Sequence, residues 1–364
     1  MKNVKKVLSA ILTISLLSGF VSLVGCSNAS SGASSAPSAA GSAAASSDAG
    51  SAGTASSGNS KNYRIVIMPK VVGIDYYNAV KTGVDKASSE LKGKVTVEWT
   101  GPTDAQVDKQ IQMLQTIIPT KPDLIAVAAD DTEAIVPVLK QASAAGIKVV
   151  TWDGDASFRD FFVNLVDYTE FGNALMDDMA QQIGEKGDIA IITTSFTAPN
   201  QAAWIKAIKD RLAEKYPNIK ILDSRAVGED TQKANQCAQD MIKAMPTLKG
   251  IIALGCPDVP GAVDAVKQAD KVGKVAVVGN GTPNAMKSYL KEGSIKDSLL
   301  WDAPAHGYLT VYSAYQLLSA GIKEGTPFQA GSLGTFTPKK DGSSLAVGLP
   351  LLTLTKDNVD KYNF

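Results

Sequence analysis

Histidine occurs once in the 364 residues, as His306, and cysteine three times, as Cys26, Cys237 and Cys256. One imidazole excludes a histidine-based metal cluster, and the cysteines lack any close-set ligand spacing. Cysteine this sparse also excludes a fold that depends on a disulfide framework; Cys237 and Cys256 are open to pairing or to standing as thiols. No GxSxG elbow, P-loop or complete GxGxxG follows any apolar run, which leaves nucleophile-elbow, phosphate-cradle and dinucleotide chemistry without a carrier. "GNGTPNAM" (279–286) lacks the third glycine and reads as a helix-start turn. An excess of one charge is missing too. Lys+Arg and Asp+Glu both number 36, and with no basic cluster this argues against nucleic acid as a partner.

What is present begins with a basic head (Lys2, Lys5, Lys6), an apolar run over 7–24 and small residues leading to Cys26. The run is too short and too interrupted by Ser and Gly for a good membrane span, so 1–25 is expected to be an export signal. "LVGC" (23–26) resembles a bacterial lipobox, which implies lipidation of Cys26 and anchoring to the outer face of a membrane. Residues 27–60 are nearly all Ser, Ala and Gly, with Asp48 the only charge, and cannot bury enough surface to fold. They read as a tether with a reach on the order of 30 Å.

From residue 63 onward, short apolar runs alternate with longer helix-period segments. Strands are expected at 63–68, 94–99, 123–129, 147–152, 188–194, 219–224, 250–255, 274–279 and 294–301. Helices are expected at 76–91, 104–118, 132–145, 168–185, 200–216, 230–245, 258–271, 283–292 and 304–321, with Gly146 and Gly187 as stop signals. Continuous apolar runs indicate strands buried on both faces, hence an α/β, doubly wound, parallel-sheet architecture. Nine strands over this length fit two sheets better than one.

Ligands of open parallel sheets bind beyond the carboxyl ends of the strands. There the sequence places Lys70 with Tyr76 and Tyr77, then Asp130 and Asp131, Asp153 and Asp155, Asn200 and Gln201, Cys256 and Asp258, Asn280, and Trp301 with Asp302. Amides, carboxylates, one ammonium and aromatic rings on one rim suit hydrogen bonding to hydroxyls and stacking on a sugar-like face. Many such residues serve simply as caps: Asp104, Asp131 and Asp167 look like caps or first-turn acids. Trp99 and Trp152 suit plain core. Lys70 is different, because an ammonium after an apolar strand is costly without a partner. The four aspartates from 130 to 155 suggest a paired-carboxylate glycosidase only distantly, since nothing selects one as the acid.

Several stretches together carry a resemblance: "IVIMPKVVGIDYYNAVKTG" (65–83), "WTGPTDAQVDKQIQ" (99–112), "AAGIKVVTWDGDA" (144–156), "NQAAWIKAIKDRL" (200–212), "VGNGTPNAMKSYLKEGSIKDSLLWD" (278–302) and "LTKDNVDKYNF" (354–364). Over 63–364 the chain resembles the type I periplasmic sugar-binding proteins of ABC importers, in the branch of autoinducer-2 receptors and rhamnose-binding proteins. The resemblance implies two Rossmann-like lobes, 62–157 plus 281–325 and 158–280 plus 326–364, joined by a three-crossover hinge with the ligand between them. Of the autoinducer-2 contacts it implies that Lys70, Asp153 and Gln201 are kept. An aspartate is replaced by Asn200, and a proline and an alanine flanking an acidic residue are replaced by the run Leu254, Gly255, Cys256. Asn200 with Gln201 is similar to the rhamnose-binding side.

The expected function is therefore a membrane-tethered, monomeric solute-binding lipoprotein that needs no cofactor and hands a small sugar to an ABC permease and its ATPase. Lys70, Asp153, Asn200 and Gln201 would bind hydroxyls, Tyr76, Tyr77 and Trp301 would stack, Leu254 and Cys256 would line the site, and Asp130 and Asn280 stand second. An autoinducer-2 receptor and a receptor feeding a sensor kinase are the alternatives.

Overall fold

Runs such as Leu124–Val127, without a single polar residue, are buried on both faces and pair in parallel on both edges. The computed structural model describes residues 61–364; the expected signal segment, Cys26 and the tether lie outside the described residues. In chain order the strands are β1 (Tyr63–Met68), β2 (Val95–Trp99), β3 (Leu124–Val127), β4 (Lys148–Trp152), β5 (Phe161–Asn164), β6 (Gly187–Thr193), β7 (Ile219–Ala226) and β8 (Leu248–Ala253). They continue as β9 (Ala276–Gly279), β10 (Asp297–Leu300), β11 (Phe328–Gln329), β12 (Thr335–Phe336), β13 (Lys339–Asp341), β14 (Ser344–Gly348) and β15 (Leu352–Thr355). The helices are α1 (Asp75–Glu90), α2 (Val107–Ile117), α3 (Val136–Ala144), α4 (Tyr168–Ile183), α5 (Pro199–Lys215), α6 (Thr231–Ala244), α7 (Asp258–Gln268), α8 (Pro283–Glu292) and α9 (Ala303–Ser319).

Two sheets organise the molecule, as the alternation implied. One has the order β13-β14-β5-β4-β3-β1-β2, parallel except for the β13–β14 hairpin. The other has the order β7-β6-β8-β9 and is parallel throughout. Local chemistry sets the helix ends. Asp167, Asp230 and Asp302 cap α4, α6 and α9 by accepting from backbone N–H groups of the first turn. The stop after α4 is Gly184, with φ +73°, and not Gly187, which opens β6.

The lobes divide differently from the expected boundaries. β5, expected in the second lobe, pairs with β4 in the seven-stranded sheet, and β14 joins it there. α8 and β10, expected in the first lobe, belong to the second. Ser298 on β10 donates to the carbonyls of Gly279 (3.2 Å) and Gly281 (3.0 Å), and Lys291 on α8 pairs with Asp360 at 2.6 Å. The three crossings fall between β5 and α4, between β10 and α9, and between β14 and β15; one buried core cluster runs through both lobes and a second, around Val66, Leu114 and Leu139, lies in the first.

In the first lobe α1 and α9 lie almost backbone to backbone. A Cβ on Gly83 would fall 1.7 Å from the Pro304 carbonyl oxygen, and one on Gly307 would fall 2.1 Å from that of Val80. Only glycine allows this approach. Cys237 and Cys256 are both free thiols, so the pairing left open by the sequence does not form. His306 is core: it is fully buried on α9, 3.0 Å from the Val163 carbonyl, and burial lowers its basicity.

Candidate ligand cleft

Three strand ends meet at one buried ion pair. Lys70, just past β1, lies 3.0 Å from Asp153, just past β4, with side-chain exposures of 5% and 3%. Asn200, in the first turn of α5 on the other lobe, reaches both: its Oδ1 accepts from the Lys70 ammonium at 3.0 Å and its Nδ2 donates to Asp153 Oδ1 at 3.2 Å. An amide is suited to this because it accepts on one side and donates on the other. The residue does not cap its helix; Ala198 holds that position, with Pro199 opening the first turn.

Backbone geometry holds the aspartate. Asp153 has φ +59°, a conformation strained for a residue with a side chain, and its carbonyl accepts from Tyr168 Oη at 2.5 Å. Gly154 follows because Lys70 lies across it: a Cβ there would sit 2.8 Å from the lysine Cε and 2.2 Å from the Ala129 carbonyl oxygen.

Aromatic rings wall the ion pair from both lobes. Trp301, on the second crossing, donates from Nε1 to Tyr76 Oη at 3.0 Å. Tyr76 and Tyr77 pack edge to face at 4.9 Å, and Trp301 lies 5.9 Å from Trp204 of α5. Tyr77 Oη points at Asp153 Oδ2 from 3.5 Å. Burial pushes both tyrosines well above their ordinary pKa, so they stay hydroxyl donors.

The inner compartment bounded by these groups is about 20 Å³ and is also lined by Gln201, Leu254, Gly255, Cys256, Asn280 and Glu229. Of the eleven expected contact residues, ten line it; Asp130 does not. Asp130 lines an outer compartment of about 350 Å³ that also meets Lys70, Gln201 and Glu229. Gln201 faces both spaces, yet its polar atoms are spent on its own lobe: Oε1 accepts from Thr193 Oγ1 and from the Thr194 N–H at 2.7 Å, and Nε2 donates to Thr194 Oγ1 at 2.9 Å. Asn280 is 2% exposed, and its Nδ2 makes only a 3.6 Å contact to the Cys256 sulfur. Burial raises the Cys256 thiol well above its usual range, which makes it a lining group and not a nucleophile.

Of the three residues expected as caps or first-turn acids, Asp167 and Asp131 accept from backbone N–H groups, whereas Asp104 does not cap α2 and instead pairs with Lys109. Asp258, expected on the rim, turns back to its own loop and accepts from the Gly255 N–H at 3.1 Å. Trp152 is fully buried core. Two cleft residues escaped the strand-end reading, Trp204 and Glu229. Glu229 follows β7, and the sequence signal was there in "VGED" (227–230), directly after that strand. Burial pushes Glu229 up to about 7, and Asp130 likewise to about 7, each eased downward by Lys70.

Comparison with known proteins agrees with this arrangement. The periplasmic binding protein domain matches residues 65–323. A sugar ABC transporter structure from Actinomyces odontolyticus is 31% identical, with TM-score 0.66, over 83% of this chain and 98% of its own. LsrB from Clostridium saccharobutylicum, in complex with AI-2, is 25% identical, with TM-score 0.77, over 83% and 100% of the two chains. An ABC transporter solute-binding protein from Clostridium phytofermentans, with bound L-rhamnose, is 24% identical and shares the fold, with TM-score 0.78 over 83% and 98%. Among the described residues no helix is long and apolar enough to cross a membrane. With two lobes, a three-crossover hinge and a polar cleft walled by aromatic rings, the chain belongs to the periplasmic binding protein family, as a type I, sugar-binding member of the kind that serves ABC importers.

Proposed function

We propose that the protein binds a small sugar of the deoxyhexose or pentose class between its lobes, without covalent chemistry, and delivers it to an ABC permease while anchored through a lipidated Cys26. One observation carries the reading: Lys70, Asp153 and Asn200 form a buried, mutually hydrogen-bonded group that spans the two lobes under a roof of tyrosine and tryptophan rings. Such a group is costly to bury unless it has work to do, and its donors and acceptors match vicinal hydroxyls. Lys70, Asp153, Asn200, Asn280 and Glu229 then contact hydroxyls, and Tyr76, Tyr77 and Trp301 pack on the ring. Gln201 serves mainly to hold the end of β6.

The inner space of about 20 Å³ has room for about one water and none for a sugar. A sugar enters only when the lobes part or Lys70 swings aside, so hinge opening is part of the mechanism. Autoinducer-2 is the second reading, favoured by the kept Lys70, Asp153 and Gln201 and by the likeness to LsrB.

Thermal unfolding of residues 61–364 against monosaccharides and autoinducer-2 tests both. A ligand at a hundredfold excess over Kd adds about 2.7 kcal/mol of stability and a clear rise in Tm. The sugar reading fails if only autoinducer-2 raises Tm, and both fail if nothing does.

A further inference from the structure

The two compartments of the cleft differ in charge balance. Lys70 is the only cationic residue lining either, and it is already engaged with Asp153 and Asn200. Asp130 and Glu229, one from each lobe, line the outer compartment, with the exposed Asp108 at its edge, and neither Asp130 nor Glu229 has an ammonium or guanidinium within 4.0 Å among the described residues. Hydrogen bonding is unbalanced in the same sense. Asp130 Oδ2, at the outer compartment, and Asn280 Oδ1, at the inner one, are buried oxygens without a donor, and Glu229 Oε1 accepts only from Thr194 Oγ1, at 3.2 Å. Both unmet atoms are acceptors, so the complementary group is a donor. The outer volume, about 350 Å³, lies within the usual range of ligand pockets, whereas the inner one does not.

We propose that the sugar carries a basic nitrogen and that its ammonium lies in the outer compartment between Asp130 and Glu229. This rests on the sugar-binding reading of the cleft. An ammonium brings three donors and no acceptor, whereas a hydroxyl brings one donor and two further lone pairs into a space already rich in oxygen. It also supplies the charge that these two half-buried carboxylates lack. Their raised pKa, about 7 for both, is what unmatched burial produces and what a bound cation would reverse.

The test sets each neutral pentose and deoxyhexose beside its monoaminodeoxy forms, one for every ring hydroxyl, and beside their N-acetyl derivatives, by calorimetric titration of residues 61–364. At least one amine is expected to bind tenfold or more tighter than its hydroxyl parent, and N-acetylation, which removes the charge, should erase the gain. Amine affinity should also rise between about pH 5.5 and about pH 7, as the two carboxylates ionise. In Glu229→Gln, and in Glu229→Gln with Asp130→Asn, the preference should fall to parity or reverse. If the double variant does not fold, the wild-type comparison and the single variant still decide. Neutral parents binding as tightly as every amine would overturn the inference and leave the sugar reading standing. An amine preference untouched by Glu229→Gln would overturn it as well. Binding of no sugar at all would sink both.

Discussion

The inner and outer compartments of the cleft share Lys70, Gln201 and Glu229 but are built on opposite terms. Inside, the ammonium, carboxylate and amide of Lys70, Asp153 and Asn200 satisfy one another, and space is nearly gone. Outside, there is space and there are carboxylates, but little to answer them. Under the function proposed above, the difference separates two tasks that one polar cleft can hide: meeting hydroxyls once the lobes part, and meeting a cationic group.

The strongest way to break that contrast is Lys70→Met. It leaves Asp153 buried and charged without a cation, which should cost about 3–5 kcal/mol of stability and reduce ligand affinity a hundredfold or more. Thermal unfolding and titration would show it, and a variant as stable as wild type would deny the pair its structural role. Asn200→Asp comes next. The amide bridges by donating to Asp153, and an ionised aspartate cannot donate; two carboxylates would then face one ammonium. Loss of about 1–3 kcal/mol, or a changed ranking of ligands toward autoinducer-2, is expected in the same assays. Gly154→Ala is a subtler probe, since the new methyl group meets the Lys70 stem and the Ala129 carbonyl. A cost of about 1–3 kcal/mol, with weaker binding, would follow from the displaced lysine.

The smallest effect concerns pH and isolates the outer compartment. Asp130 and Glu229 both titrate higher folded than unfolded, so the folded state holds more protons between the two values. Their contribution to stability is fully present below the unfolded carboxylate range near pH 4 and is lost as pH rises through about 7. Tm of the ligand-free protein should therefore drift down between about pH 5 and about pH 8, and Glu229→Gln should flatten the slope. An unchanged slope in that variant would mean the carboxylate is solvated and unimportant.

Much of this was legible in the chain. The nine α-helices among the described residues and the first strands follow from period and from Gly, Pro and Asp punctuation, because those signals act within a few residues. β5 and β11–β15 were not legible: β5 and β12–β15 each follow another strand with no α-helix between, outside the alternation that marked the rest, and β11 is only two residues long. Lobe membership was invisible for a different reason. Which sheet β5 or β10 joins depends on partners such as Leu345 and Thr353, far away in the sequence. Strand-end reading gathered Lys70, Asp153 and Asn200 correctly onto one rim. It could not tell that Gln201 would turn inward to Thr193 and Thr194, because both choices satisfy the same amide. Glu229 was missed at an exit that obeyed the same rule, after β7.

The glycine contact between α1 and α9 has a mechanical consequence. α1 starts at the tyrosines that roof the cleft, and α9 starts two residues after Trp301 on the second crossing. Two helices locked at Gly83 and Gly307 cannot slide or splay, so they behave as one stiff lever with its fulcrum at the crossing. Under the proposed hinge opening, a swing of that segment would carry Tyr76 and Tyr77 with it, and the aromatic roof would move with the hinge.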